Sequence, residues 1–286
     1  MVQRELLVRK SFFCHFLSSI ALVLFLNNCT LARDLDEIRG AGSLRHLGIP
    51  YANFVTGGGD GMDVELVQAF AKHLGLRYEY VPSDWPRVFG DLNGRNARRG
   101  TDGHAEFLEP TPIVGDLIAN GMTILDWREE VVDFSTPTFP SGVWLLARAN
   151  AELSPIQPSG DRQNDVELVR GHLRDRSVLA LESTCLDPKL YRIAETGADV
   201  RLLGPGRQLN EMAPALLKGK AETTLLDIPD ALIALEKWPG ELKVIGPVSG
   251  VQRMAVAFRK DSPELRAAFN RLLKIVWIVL PERRIR

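Results

Sequence analysis

Arg128 stands between two apolar patterns, Leu117 to Ile124 and Val143 to Ala147, five residues after Thr123 and seven before Ser135. A guanidinium so placed suits one job above others, the holding of a carboxylate. Its planar fork of donors matches two carboxylate oxygens at once, and the amides and hydroxyl of a Gly121-Met122-Thr123 turn would complete the cage. The plainer alternative is a surface ion pair with Glu129, Glu130 or Asp133, which would carry little energy and no function.

The surrounding elements read as an α/β chain. Leu44 to Tyr51 has the character of a strand leading into a turn. After the glycine-rich stretch from Gly57 to Gly61, Asp63 is placed to cap a helix whose residues Leu66, Val67, Phe70, Ala71 and Leu74 follow helical spacing. Gly75 ends that helix, and Arg77 to Val81 alternates as a strand, so the order is that of a parallel sheet with covering helices. The glycines lack the G-x-G-x-x-G spacing of a nucleotide loop, and Asp63 would repel a phosphate. Residues 93–112 show no hydrophobic period and are expected to form either a mobile surface loop or a lid. Asn150 to Asp165, with Pro155, Pro158 and Gly160, predicts a crossing between two lobes. Beyond it come a helix at Val166–Leu173, a strand at Val178–Leu181, a turn at Glu182–Cys185, a helix at Met212–Leu217, a strand at Ala221–Leu226 and a helix from Asp230 to Lys237. Ligands in such sheets sit beyond the carboxyl ends of the strands.

The stretch containing Asp116, Gly121, Thr123, Arg128, Phe134, Ser135 and Pro137 resembles the signature of the family 3 extracellular solute-binding proteins, the amino-acid receptors of bacterial ABC importers. Leu125 stands where that signature has a second threonine. Phe54, the run Gly61 to Leu66 and the run Ala71 to Gly75 match the family's opening pattern, and the resemblance extends over roughly Arg39 to Asn270. It implies a type II periplasmic-binding-protein fold, two α/β lobes with a hinge and a central ligand cleft. The expected organisation is an export signal at 1–32, a discontinuous lobe 1 at 33–149 plus 246–286, and lobe 2 at 150–245. The resemblance also places Thr184 and Cys185 in the ligand turn of lobe 2, with Ser183 where the family has glycine, and gives Asp227 the ligand ammonium. Asp227 has a second reading as the cap of the helix that follows it. Phe54 is either an aromatic wall against the ligand or a core residue.

The function implied is capture of an amino acid or similar zwitterion between the lobes and its delivery to an ABC permease, by a monomer without cofactor, metal or catalytic residue. Two rival readings share the scaffold. One is a cyclohexadienyl-dehydratase-like enzyme, for which Glu182 is the one candidate acid or base; the other is a sensory module like those of lytic transglycosylases.

Composition agrees with an exported globular chain. Arg4, Arg9 and Lys10 precede a mostly apolar run from Phe12 to Leu26, and Thr30-Leu31-Ala32 offers small residues for cleavage after Ala32. The alternative is lipidation of Cys29, three residues after Leu26. Either way the destination is the periplasm. Removal of 1–32 takes three basic residues and one acidic residue, so the net charge moves from −1 to −3, which draws neither nucleic acid nor an anionic membrane. Cys185 is then the one remaining cysteine, so no internal disulfide forms. The histidines are scattered without metal-ligand spacing. The apolar run Ile275 to Leu280 departs from the amphipathic closing helix that the resemblance implies.

Overall fold

A computed structural model describes residues 33–204 and 206–279. The expected export signal and the lipidation alternative at Cys29 lie outside the described residues. No helix among them is long and apolar enough to cross a membrane.

The chain opens on a helix at Leu35–Ala41 and on β1 (Ser43–Gly48), followed by a helix at Met62–His73 and β2 (Arg77–Pro82). A helix at Val88–Asn93 leads into β3 (Arg95–Arg99) and β4 (Ala105–Pro110); then come β5 (Leu117–Ile118), a short helix at Asp126–Glu129, and β6 (Asp133–Phe134). β7 (Phe139–Ser141) and β8 (Val143–Arg148) precede a helix at Arg162–Gly171, β9 (Ser177–Ala180) and β10 (Asp199–Leu202). A helix at Met212–Leu217, β11 (Thr223–Asp227), a helix at Ile228–Lys237 and β12 (Leu242–Pro247) follow, and β13 (Gln252–Met254), β14 (Ala257–Phe258) and a helix at Pro263–Val279 close the described chain.

Two five-stranded sheets share one design. The first runs β2-β1-β5-β14-β6 and the second β10-β9-β11-β8-β12. In each, the first three strands are parallel, and the fourth, β14 or β8, is antiparallel to its neighbours. Each fourth strand arrives from the other half of the chain. β7 and β13 pair antiparallel where the chain leaves and re-enters the first half, with Ser141 opposite Gln252 and Phe139 opposite Met254. The chain thus passes from the first sheet to the second ahead of β8. β8 already belongs to the second sheet, and the Pro- and Gly-punctuated stretch after it joins β8 to a helix of the same half.

The first half is packed on both faces. Leu44, Phe70, Phe258 and Phe269 form one apolar cluster, in which Phe269 meets Phe70 edge-on at 5.1 Å. Val88, Phe89, Met122 and Trp127 form another. Asp34 fastens both ends of the described chain together, because its carboxylate accepts from Leu35 N at 2.8 Å and from Leu265 N at 2.8 Å, capping the first helix and the last. The last helix continues through the apolar run instead of breaking at it, and Ile275 stays half exposed.

Residues 93–112 are not a structureless loop. β3 and β4 form an antiparallel hairpin, with Arg98 opposite Glu106 and Arg99 opposite Ala105. Charge pairing across the strands takes the place of the missing hydrophobic alternation, since Arg98 donates to Glu106 at 2.8 Å and Glu130 accepts from Ala105 N at 2.9 Å.

Candidate functional site

Arg128 lies on the short helix Asp126–Glu129 and is completely buried. The surface ion pair considered above does not form. Glu130 is bound to His104, Asp133 is met by Lys260 and Arg266, and among the described residues no ion pair involves Arg128. Its Nη1 donates to the Thr123 carbonyl at 2.9 Å, while among the described residues Nε and Nη2 have no partner. Trp85 and Trp127 approach the guanidinium with ring centres at 5.1 and 5.4 Å. These cation–π contacts temper the burial without neutralising the charge. Burial lowers the pKa of the group to about 10, so it remains a cation at neutral pH. A buried, half-bonded guanidinium of this kind demands an anion.

The turn that supplies Thr123 is held by Asp63 and two aromatic rings. Asp63 does not cap its own helix; that position falls to Gly61, and the Asp63 carboxylate instead accepts the Gly121 N–H at 2.6 Å. Burial raises its pKa to about 6 against the opposing effect of that bond. Gly121 has φ +64°, and a Cβ there would stand 2.7 Å from the rings of both Tyr51 and Phe54, so no other residue fits. Phe54 is 4% exposed, stacked on Tyr51 at 5.5 Å and set edge-on to Phe139. It backs Tyr51 and packs in the core. Thr123 is buried and bridges to Met254 of β13.

In the second half, the turn after β9 carries Thr184 and Cys185. Thr184 Oγ donates to the Leu181 carbonyl at 2.8 Å and accepts from Leu186 N at 3.0 Å, which shapes the turn from within. Ser183 adopts φ +62°, the conformation a glycine would take freely. Left-handed backbone costs a non-glycine residue roughly 1–2 kcal/mol, so Ser183→Gly is expected to stabilise the protein by about 1 kcal/mol in chemical denaturation. An unchanged midpoint would show that the turn is not strained.

Asp227, at the end of β11, does cap the helix that follows, accepting Asp230 N at 3.2 Å. Its other oxygen accepts the Tyr51 hydroxyl and, at 3.5 Å, the Cys185 thiol. Tyr51 comes from the first half, so this bond ties the two halves together. Burial pushes the Asp227 pKa up, against the pull of these hydrogen bonds, and Asp230 beside it is raised by burial and by the charge of Asp227. Cys185 is pushed well up by burial and by Asp227, which keeps it a thiol and disfavours a nucleophilic role. The charge of Arg128 reaches both Cys185 and Tyr191, and the Tyr191 hydroxyl donates to the Cys185 carbonyl at 2.5 Å.

Six of the expected residues thus lie around one buried cluster, and Phe54 supports it from behind. Sequence reasoning missed Tyr51, Trp85 and Asp63. Glu182, the one acid–base candidate, is paired with Lys189 at 3.0 Å, and Glu222 accepts from Ser177 N at 3.0 Å in a structural role. Among the described residues no group of acidic, histidine or cysteine side chains could hold a metal ion.

The fold is thus two similar α/β halves that share a buried cluster drawn from both. The chain belongs to the bacterial extracellular solute-binding proteins, family 3, whose sequence profile it matches over residues 114–277. It is 26% identical over 210 residues to the L-cystine-binding protein TcyJ of Escherichia coli strain K12, a match that covers 73% of this chain and 66% of that protein. It is also 27% identical over 212 residues to the membrane-bound lytic murein transglycosylase F of Desulfosudis oleivorans, covering 74% of this chain and 40% of the relative. The chain therefore spans less than two thirds of the length of these curated relatives. The holo form of ArgBP from T. maritima superposes with a TM-score of 0.63 at 22% identity, over 85% of this chain and 93% of that one. The expected type II periplasmic-binding fold is thereby established.

Proposed function

We propose that the protein is a receptor for an amino acid or a close zwitterionic analogue, held in the cleft between two lobes. The observation that carries this reading is the buried Arg128 guanidinium with two unpartnered nitrogens. A carboxylate would accept from Nε and Nη2 side by side, and the backbone of the Gly121–Thr123 turn would complete its coordination. Asp227 faces the same cluster from the second half, and the ligand ammonium would take the oxygen now shared by Tyr51 and Cys185. Thr184 would shape that wall through its turn. A ligand bound from both sides would favour closure by contacts that exist only when the lobes meet.

We assign lobe 1 to the first sheet and its helices, lobe 2 to the second, and the hinge to the paired strands β7 and β13. Delivery to an ABC permease, a periplasmic location and a monomeric state are further parts of this proposal, which the likeness to the family supports. A second reading, a sensory module, draws support from the similarity to the transglycosylase, and it would use the same cleft.

A thermal-shift screen against the common amino acids tests the binding role. A cognate ligand at 100 times its dissociation constant adds about 2.7 kcal/mol, a shift of several degrees. If no amino acid raises the melting temperature, and decarboxylated amines do so instead, the carboxylate role of Arg128 fails.

A further inference from the structure

Next to the Arg128 cluster, a cavity of about 480 Å³ opens between the two halves. Trp85 and Trp127 form its inner end, and Thr184 lies on the opposite side. Its outer wall comes from the β3–β4 hairpin through Ala97, Arg98 and Leu108, facing Leu202 and Gln208 of the second half. Pockets of about 300–1,000 Å³ suit ligands of drug-like size, so the space exceeds what a small amino acid would fill.

The hairpin is anchored as a wall. Arg95 Nε donates to the Leu108 carbonyl at 2.7 Å, and Thr111 N donates to the Gly94 carbonyl at 2.9 Å. Glu130 grips its turn through His104 at 2.8 Å and through Ala105 N. Each charged residue on the cavity rim is already paired within its own half: Asp84 with Arg87, Arg98 with Glu106, Arg207 with Glu211, and Glu182 with Lys189. The rim thus offers a ligand no unpaired charge. Apart from the uncharged polar side chains of Ser183, Thr184 and Gln208, what remains is apolar, with Trp85, Phe89 and Trp127 at the inner end and Ala97, Leu108 and Leu202 at the outer end.

Resting on the amino-acid reading of the cleft, we propose that the protein selects amino acids with a long apolar or aromatic side chain, whose far end lies against Ala97 and Leu108 of the β3–β4 hairpin. The hairpin acts as a specificity wall. It excludes water from the distal part of the ligand and discriminates against a second charge, which would have to leave water without a partner.

Calorimetry of the purified protein with S-benzyl-L-cysteine and L-tryptophan as long apolar probes, L-alanine as a short one and L-arginine as a charged one tests the proposal. The long apolar probes are expected to bind at least 30-fold more tightly than either L-alanine or L-arginine. Leu108→Asp should weaken the long probes tenfold or more and leave L-alanine within threefold of the parent. Leu202→Asp, on the exposed strand of the opposite wall, should do the same, which guards against a folding defect confined to the hairpin. Equal binding of L-alanine and the long probes, preference for L-arginine, or long-probe affinities untouched by both variants would overturn the specificity wall while leaving the receptor role standing. Absence of binding by any of the four would instead overturn the amino-acid reading and this inference with it.

Discussion

Arg128→Ala is expected to bind the cognate amino acid about 30-fold to several-thousand-fold more weakly than the parent, the equivalent of roughly 2–5 kcal/mol for a truncated member of a buried charge pair. The same substitution should leave the ligand-free protein close to parental stability. Removing a buried guanidinium with two unbonded nitrogens relieves an unpaired charge, and this offsets the packing lost beside Trp85 and Trp127. Loss of affinity without loss of stability would separate a ligand anchor from a structural arginine. Arg128→Lys keeps the charge but not the fork and should recover only part of the affinity.

Asp116→Ala should act in the opposite way, on stability first. The Asp116 carboxylate is fully buried and accepts from Arg45 Nη2 at 2.7 Å, from Arg45 N at 2.8 Å and from Arg33 Nη2 at 2.5 Å. Removing it leaves two cations that are only partly in water, at 13% and 17% side-chain exposure. The expected cost is about 3 kcal/mol, toward the lower end for a broken buried pair because both arginines retain some solvent. That corresponds to a melting temperature lower by about 6–12 °C. Burial alone would raise the Asp116 pKa, but the hydrogen bonds from Arg45 and Arg33 outweigh it and hold the carboxyl below its usual range. A lowered carboxylate pKa contributes stability above the unfolded-state value and loses it as the pH falls through the folded value. The stability gap between parent and variant should therefore narrow in acid. A gap independent of pH would mean that packing, not charge, accounts for it.

The features legible in the sequence are those with a local cause. Arg128 stands out because its neighbours Thr123, Ser135 and Pro137 have fixed spacing, and hydrophobic period gives the opening strand–helix–strand of the first half and the alternation of strands and helices in the second, while β10, β12, β13 and β14 are too short or too polar to read from it. Asp63 was misassigned because a carboxylate near a helix start can cap that helix or turn inward. The choice is made by Gly121, far away in sequence. The β3–β4 hairpin escaped for a related reason: Arg95–Arg99 carries polar side chains on both faces, so its pairing depends on Glu106 and Glu130 and leaves no period to read. β8 has an ordinary strand pattern, and nothing local tells that it joins the second sheet. Tyr51 matters through its bond to Asp227 of the other half and Trp85 through its contact with Arg128, pairings between residues far apart in sequence that periodicity does not encode.

Calorimetry with one cognate L-amino acid and its deaminated analogue, measured on the parent, Arg128→Ala and Asp227→Asn, tests the zwitterion clamp most directly. Arg128→Ala is expected to weaken both ligands by at least 30-fold, whereas Asp227→Asn should weaken the amino acid and spare the analogue that lacks the ammonium. Binding of the amino acid by Arg128→Ala within about threefold of the parent, a difference below roughly 0.7 kcal/mol, would contradict the clamp.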